Sequence, residues 1–192
     1  MRGKYRQTVA PTTYPVTLDE AKAHCSLEGI DDHDAYLWSL IEAAVMTVEA
    51  RISRQIMPAT WTLSLEYFPH EIIVSKPPVS AVTSITYIDN DGVSQTVSAA
   101  DYQVDIASLD SPARVKPVYG VTWPTTKSGT YGAVTVTFTT GYTTVPKTIK
   151  HAILFLVAHW FTLREPVNVG NIVTQIPSGL DMLLSLSDWG DY

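Results

Sequence analysis

The segment Thr144–Glu165 constrains the chain more than any other, because it reads as one helix with defined ends and almost no polar face. Thr144 is placed to cap its N-terminus, and Pro146 falls in the first turn, where a missing N–H costs nothing. Pro166 ends it, since the residue before a proline is pushed out of the right-handed helical region. Ile149, Ile153, Leu156, Trp160 and Leu163 share one face. Phe155 and Phe161 widen that face, and Leu154, Val157 and Ala158 cover much of the rest. Such a helix is expected to be buried on more than one side. Lys150, His151 and Arg164 bracket an apolar stretch well under the ~20 residues a membrane span needs. The expectation is a central core helix with no membrane partner, whose walls the preceding chain supplies.

Two helices are expected before it. Thr17 and Glu20 form the S/T-x-x-E pattern of a capping box, opening a helix that runs to about Leu27 with Gly29 as its stop. Asp31, Asp32 and Asp34 place acidic charge at the start of a second helix, where it complements the helix dipole. Tyr36, Leu37, Leu40, Ile41, Ala44, Val45, Val48 and Ile52 recur at three and four, a stripe that faces a core. From Thr60 the period becomes two: Trp61, Leu63, Leu65 and Tyr67 alternate with polar residues. Further strands are expected at Ile72–Val74, Val82–Ile88, Val93–Val97, Tyr102–Asp105, Ala113–Val115 and Val134–Thr139. Pro77-Pro78 interrupts pairing, and Asp89-Asn90-Asp91-Gly92 is hairpin chemistry. A Pro- and Gly-rich loop covers Pro117–Gly132. The fold class is therefore α+β: a small helical bundle, two N-terminal helices plus the central apolar helix, with a β-rich insertion and an extended C-terminal tail. In chain order it comprises an N-terminal arm (1–15), a first helical segment (16–57), the insertion (58–143), a second helical segment holding the central helix (144–165) and a docking tail (166–192). Met1–Thr13 is polar and basic, with no apolar leader, and is expected to be a flexible arm. The tail combines an extended Val167–Gln175 with a short amphipathic helix over Leu180–Leu186 and ends on Trp189 and Tyr192. Apolar residues beyond the end of a domain pack on something.

Composition narrows the function classes. Of 192 residues, 45% are hydrophobic, enough for a substantial core, while 17% charged is low and suits an exterior partly covered by partners. A net charge of −6 argues against electrostatic binding to nucleic acid, which needs clustered Lys and Arg. The lone Cys25 excludes an internal disulfide and fits a reducing compartment. No catalytic constellation is legible. His24 and Cys25 are adjacent on a helix and point about 100° apart, so they make a poor thiol–imidazole pair. His151 and His159 stand eight apart, without metal-ligand spacing. Asp89–Gly92 resembles the start of a calcium loop, but Ala100 stands at the twelfth position, where an acidic ligand is required. Asp31–Asp34 is explained by a helix start, and His70 and Glu71 stand alone in a turn. Neither a nucleophile elbow, a phosphate-binding glycine loop nor a dinucleotide fingerprint occurs. The expectation is no enzyme, no metal and no cofactor. A hydrolase using His70, His151 or His159, or carbohydrate binding through Trp61 or Trp123, is the minor alternative.

In order and spacing the chain resembles a known family. The residues that carry this are Thr17–Lys22, the acidic start and Leu40–Ala44 of the second helix, and Pro77–Ile85. Ala100–Asp105, Val134–Phe138 with Gly141-Tyr142, and Val145–Trp160 continue it. Together they look like the tailed-bacteriophage head–tail connector (adaptor) proteins, the gp6-like and gp8-like group, over about Val16–Leu186. The resemblance departs mostly in Met1–Tyr14. It implies a structural virion protein, assembled in the host cytoplasm, that forms a ring with itself, commonly of twelve copies, beneath the portal protein. A stopper or tail component would receive its distal side, and DNA would pass through the channel without sequence-specific binding. Read with that role, the apolar tail becomes the portal-binding element, with Ile172, Ile176, Leu180, Leu183, Leu184 and Trp189 as anchors. Each such side chain contributes roughly 1.5–3 kcal/mol when buried. A stopper or tail terminator is the alternative within the same class.

Overall fold

A computed structural model describes residues 3–106 and 111–163. It is α+β, with three helices and two antiparallel sheets among the described residues. The chain divides into two units: residues 1–12 with 57–143, and residues 13–56 with 144–192.

The first unit is β. Strands β1 (Lys4–Val9), β2 (Ala59–Leu65), β4 (Val79–Ile88), β5 (Ser94–Thr96) and β8 (Val134–Thr140) form one sheet in the order β1-β2-β8-β4-β5. Strands β3 (Ile72–Val74), β6 (Tyr102–Asp105) and β7 (Ala113–Pro117) form a second, in the order β3-β7-β6. The alternation in β8 decides which way the larger sheet faces. Val134, Val136 and Phe138 are buried, while Thr135, Thr137 and Thr139 stand on the other face. Register carries that division to β2, where Leu65, Leu63 and Trp61 lie opposite Val134, Val136 and Phe138. The inward residues of both sheets form one core, including Leu63, Phe138 and Ile85 from the larger sheet and Ile72, Val74 and Val115 from the smaller. Thr140 anchors the end of β8 by sharing its hydroxyl between the Lys76 carbonyl at 2.6 Å and the Pro78 carbonyl at 2.8 Å. Gly141 follows at φ 119°, where a Cβ would fall 2.5 Å from the Met57 carbonyl carbon, so only glycine fits.

Strand β1 corrects an expectation. Lys4–Val9 is not a free arm but an edge strand paired with β2, Tyr5 opposite Leu63. Tyr5 reaches further, its hydroxyl accepting the Ser75 N–H at 2.8 Å. Tyr67, expected on a half-buried strand, lies beyond the end of β2 and is exposed.

The second unit is helical: α1 (Leu18–His24), α2 (Asp34–Ile52) and α3 (Lys147–Thr162). The capping box forms, with the Glu20 N–H donating to Thr17 Oγ1 at 3.1 Å and the Thr17 N–H to Glu20 Oε2 at 2.8 Å. Helix α1 is shorter than expected. It stops at Cys25, and Ser26 rather than Gly29 takes the first left-handed conformation. The acidic run Asp31–Asp34 does more than complement a dipole: Lys22 Nζ lies 2.6 Å from Asp31 Oδ1 and 2.7 Å from Asp34 Oδ1, tying α1 to the start of α2. The hydrogen bonds to Asp31 and then Asp34 hold the Lys22 ammonium above its ordinary pKa. Helix α2 buries Leu37, Leu40, Ile41, Ala44, Val48 and Ile52, but Tyr36 is exposed and Val45 only half-buried. Its N-cap is His33, with no side-chain cap.

Helix α3 departs from expectation at its start and around its circumference. Pro146, not Thr144, is the N-cap, because its φ of −55° with ψ of 141° belongs to the residue before the helix. Ile149, Ala152, Ile153, Leu156 and Val157 are buried. Leu154, Phe155, Ala158, Trp160 and Phe161 are only half-buried, and Leu163 is exposed. Phe161 sits 5.5 Å from the His33 ring and 6.1 Å from Tyr36, so the end of α3 meets the start of α2 and the two run antiparallel. Pro166, the expected terminator, lies outside the described residues.

Candidate interaction surface

The residues singled out for chemistry are scattered and individually explained. His24, His70 and His151 are exposed at separate places, and His159 is half-buried on α3. Burial pushes the Cys25 thiol up from its ordinary pKa, which disfavours the thiolate a nucleophile needs. Asp89 closes the β4–β5 hairpin. Its carboxylate accepts from the Val93 N–H at 2.9 Å, the Asp91 N–H at 3.1 Å and Gln95 Nε2 at 2.9 Å. Those bonds, the Gln95 one foremost, hold it below the usual carboxylate range. The turn thus uses internally the oxygens a calcium loop would turn outward. Glu71 lies 3.6 Å from Arg114. Among the described residues no three His, Cys, Asp or Glu side chains gather in a metal-holding group. No helix there is long and apolar enough to cross a membrane.

The tryptophans considered for carbohydrate are engaged in packing. Lys76 Nζ stands 4.3 Å over the Trp61 ring, and Trp123 stacks on Phe68 at 4.7 Å with 8° between planes. A sugar platform needs an open ring face, which neither arrangement favours.

The surface that stands out lies on α2, opposite its buried stripe. Ala35, Ser39, Ala43, Met46 and Ala50 follow one another on that side, all exposed, Met46 at 70%. Spacings of three and four bring them onto one strip. Tyr36 and Trp38 flank it, both exposed. Tyr14 lies on Trp38 with ring centres 5.3 Å apart and donates its hydroxyl to Glu42 Oε1 at 2.6 Å. That bond, more than burial, raises the Tyr14 pKa. On α3, the span His151–Leu163 contains no Asp, Glu, Lys or Arg, and its outward Leu154, Phe155 and Ala158 keep contact with solvent. A small, partly apolar strip on α2, whose neighbouring carboxylate Glu42 is held by Tyr14, beside an uncharged outward side of α3, is the signature of a protein-docking surface. A helical period detects such a stripe but does not say whether core or partner covers it. The portal anchors expected at Ile172, Ile176, Leu180, Leu183, Leu184 and Trp189 lie outside the described residues.

Comparison with solved structures gives the same fold in phage-like particles. A chain from the neck of an empty gene transfer agent particle, computed with C6 symmetry, superposes with a TM-score of 0.78 at 21% identity, covering 98% of this chain and 97% of that one. A chain from the virion of a native gene transfer agent particle gives 0.78 at 21%, covering 98% and 96%. One from the neck of the native particle, computed with C12 symmetry, gives 0.72 at 23%, covering 100% and 97%. None of the curated proteins compared matches the chain. The model of the head completion protein family matches residues 16–166, from just before the capping box of α1 to beyond the end of α3, and the chain belongs to that family.

Proposed function

We propose that the protein is a structural component of the virion neck, an adaptor that forms a ring of about twelve copies beneath the portal and joins the head to the tail. The observation that carries the reading is the exposed face of α2, small and apolar around Met46 with Glu42 its one carboxylate and that held by Tyr14, in a chain of the head completion protein family. A ring needs a head-to-tail contact between two different surfaces of each copy. The small-residue strip of α2 and the larger outward residues of α3 supply two such surfaces of complementary size. The symmetric necks in which the structural relatives occur support the same arrangement.

The net charge of −6 suits a conduit through which DNA slides without adhering. The tail beyond Pro166 docks on the portal through Ile172, Ile176, Leu180, Leu183, Leu184 and Trp189. The distal side receives a stopper or tail component. Nothing in this role calls for catalysis, a metal or a cofactor.

One experiment with two arms tests the reading. Purified chain is examined for rings and for binding to portal, as wild type, as Met46→Glu and as a chain ending at Glu165. Met46→Glu is expected to remain folded, since the side chain is mostly in solvent, and to lose ring formation. The shortened chain is expected to lose portal binding. Rings formed equally well by Met46→Glu would overturn the interface, and undiminished portal binding by the shortened chain would overturn the docking tail. Location of the protein at the tail end of the neck, away from the portal, would favour the stopper or terminator role.

A further inference from the structure

A second surface, on the β unit, has chemistry of its own. A cavity of about 420 Å³ is lined by Glu66, Tyr67, Thr126, Ser128, Gly129, Thr130 and Tyr131. Glu66 and Tyr67 directly follow β2, and the other residues come from the loop between β7 and β8. The loop is held in place: the Lys127 N–H donates to the Ile88 carbonyl at 3.0 Å, and Asn90 Nδ2 to Thr125 Oγ1 at 3.3 Å. Gly129 and Gly132 take left-handed conformations at φ 70° and 69°. At either end of the lining, Phe68 stacks on Trp123 at 4.7 Å and meets Tyr87 at 5.7 Å, so residues next to Tyr67 and before Thr126 are fixed to each other.

Two features of the lining point to one class of ligand. The Glu66 carboxylate is exposed, and among the described residues no cation pairs with it. Tyr67 and Tyr131 present rings to solvent, Tyr131 at 85% exposure. An ammonium already approaches one of them, Lys4 Nζ at 5.9 Å from the Tyr131 ring centre. A carboxylate beside aromatic faces attracts a cation twice, by charge and by the ring quadrupole. The hydroxyls of Thr126, Ser128 and Thr130 add acceptors for the N–H groups of that cation. We propose that this pocket receives a lysine or arginine side chain of a partner protein. The proposal stands apart from the ring assignment, because the pocket is complete within one β unit.

The test uses the full-length protein and a blocked hexa-arginine peptide, with the hexa-citrulline peptide as a neutral isostere, measured by calorimetry or fluorescence anisotropy. Binding of the arginine peptide and not of the citrulline peptide is expected. Glu66→Gln and Tyr131→Leu should each weaken it roughly three- to tenfold, whereas Tyr131→Phe, which keeps the ring, should stay within about twofold. Glu28→Gln removes an exposed carboxylate in the helical unit and should leave binding unchanged. A loss in Glu66→Gln no larger than in Glu28→Gln would reduce the interaction to net charge and overturn the proposal. Equal affinity for the citrulline peptide would overturn it too.

Discussion

Strand β8 buries Val134, Val136 and Phe138 in a core shared by two sheets, whereas α3 buries Ile149, Ile153 and Leu156 and leaves Leu154, Phe155 and Ala158 half in water. The two sheets of the β unit therefore close on each other, and the outward face of β8 carries hydroxyls, Thr135, Thr137 and Thr139. The helical unit satisfies its inner stripe and keeps small and apolar side chains in solvent on α2, such as Ala43 and Met46, beside the uncharged outward side of α3. Both are rich in apolar residues, so composition does not separate them. What separates them is where the surplus goes. In β8 it fills an enclosed core, although loops of the same unit expose Tyr67, Tyr119 and Tyr131; along α2 and α3 it stays on the outward side of regular helices, available to another chain.

The largest effect should come from breaking the closed side of that comparison. Phe138 is fully buried and meets the Tyr5 ring edge-on at 6.3 Å. Phe138→Ala should cost about 3–5 kcal/mol through lost burial and a cavity, read as a lower midpoint in chemical denaturation. A loss below about 1 kcal/mol would mean that the two sheets collapse around the gap and that the core is less rigid than its register implies. An intermediate effect is expected at Gly141. A side chain there suffers at φ 119° and drives a Cβ into the Met57–Pro58 backbone, 2.5 Å from the nearest atoms. Gly141→Ala should cost at least about 1–3 kcal/mol from the strained conformation alone. Unchanged stability would show that residues 57–58 move away freely, and that the turn after β8 is not fixed by this contact.

Much of the β unit was legible because strict alternation has one physical cause, a sheet wet on one face and dry on the other. Leu63, Leu65, Val134 and Val136 all fall where the period places them. Strand β1 escaped because an edge strand exposed along nearly its whole length leaves no such trace in Lys4–Val9. Of α3, the period identified the helix and its inner stripe. It could not distinguish a side chain covered by its own domain from one reserved for a neighbour, which is why Trp160 and Leu163 came out wetter than expected. The pocket around Glu66 and Tyr131 was illegible for another reason. Its walls are 65 positions apart in sequence, counted as 131 − 66, and meet only because a loop folds back beside the end of β2. Lys22 with Asp31 and Asp34 was half legible: the acidic cluster was evident, but the cation it holds was not.

The smallest effect tests the helical unit at a feature that is complete without a partner. Glu20 sits in the first turn of α1, where its carboxylate accepts the Thr17 N–H and lies 3.4 Å from Lys150 Nζ on α3. The Thr17 hydrogen bond, more than the lysine, lowers its pKa from the ordinary 4.5. A depressed folded-state value means that ionised Glu20 favours the folded form. The stabilisation is therefore full above pH 4.5 and is lost as pH falls through the lowered value. Glu20→Gln can still accept the Thr17 N–H but carries no charge, so the difference between the two proteins isolates the ionised form. Being partly exposed, the charge should contribute about 0.5 kcal/mol or less. Wild type should melt slightly above Glu20→Gln at neutral pH, and the gap should close as pH drops below 4.5. A gap that persists in acid would assign the difference to amide geometry. A gap that narrows in salt at neutral pH, while the Thr17→Ala change narrows it little, would shift the weight from the cap to Lys150. In that case α1 is held chiefly by its neighbour α3, and even this corner of the helical unit depends on packing rather than on its own turn.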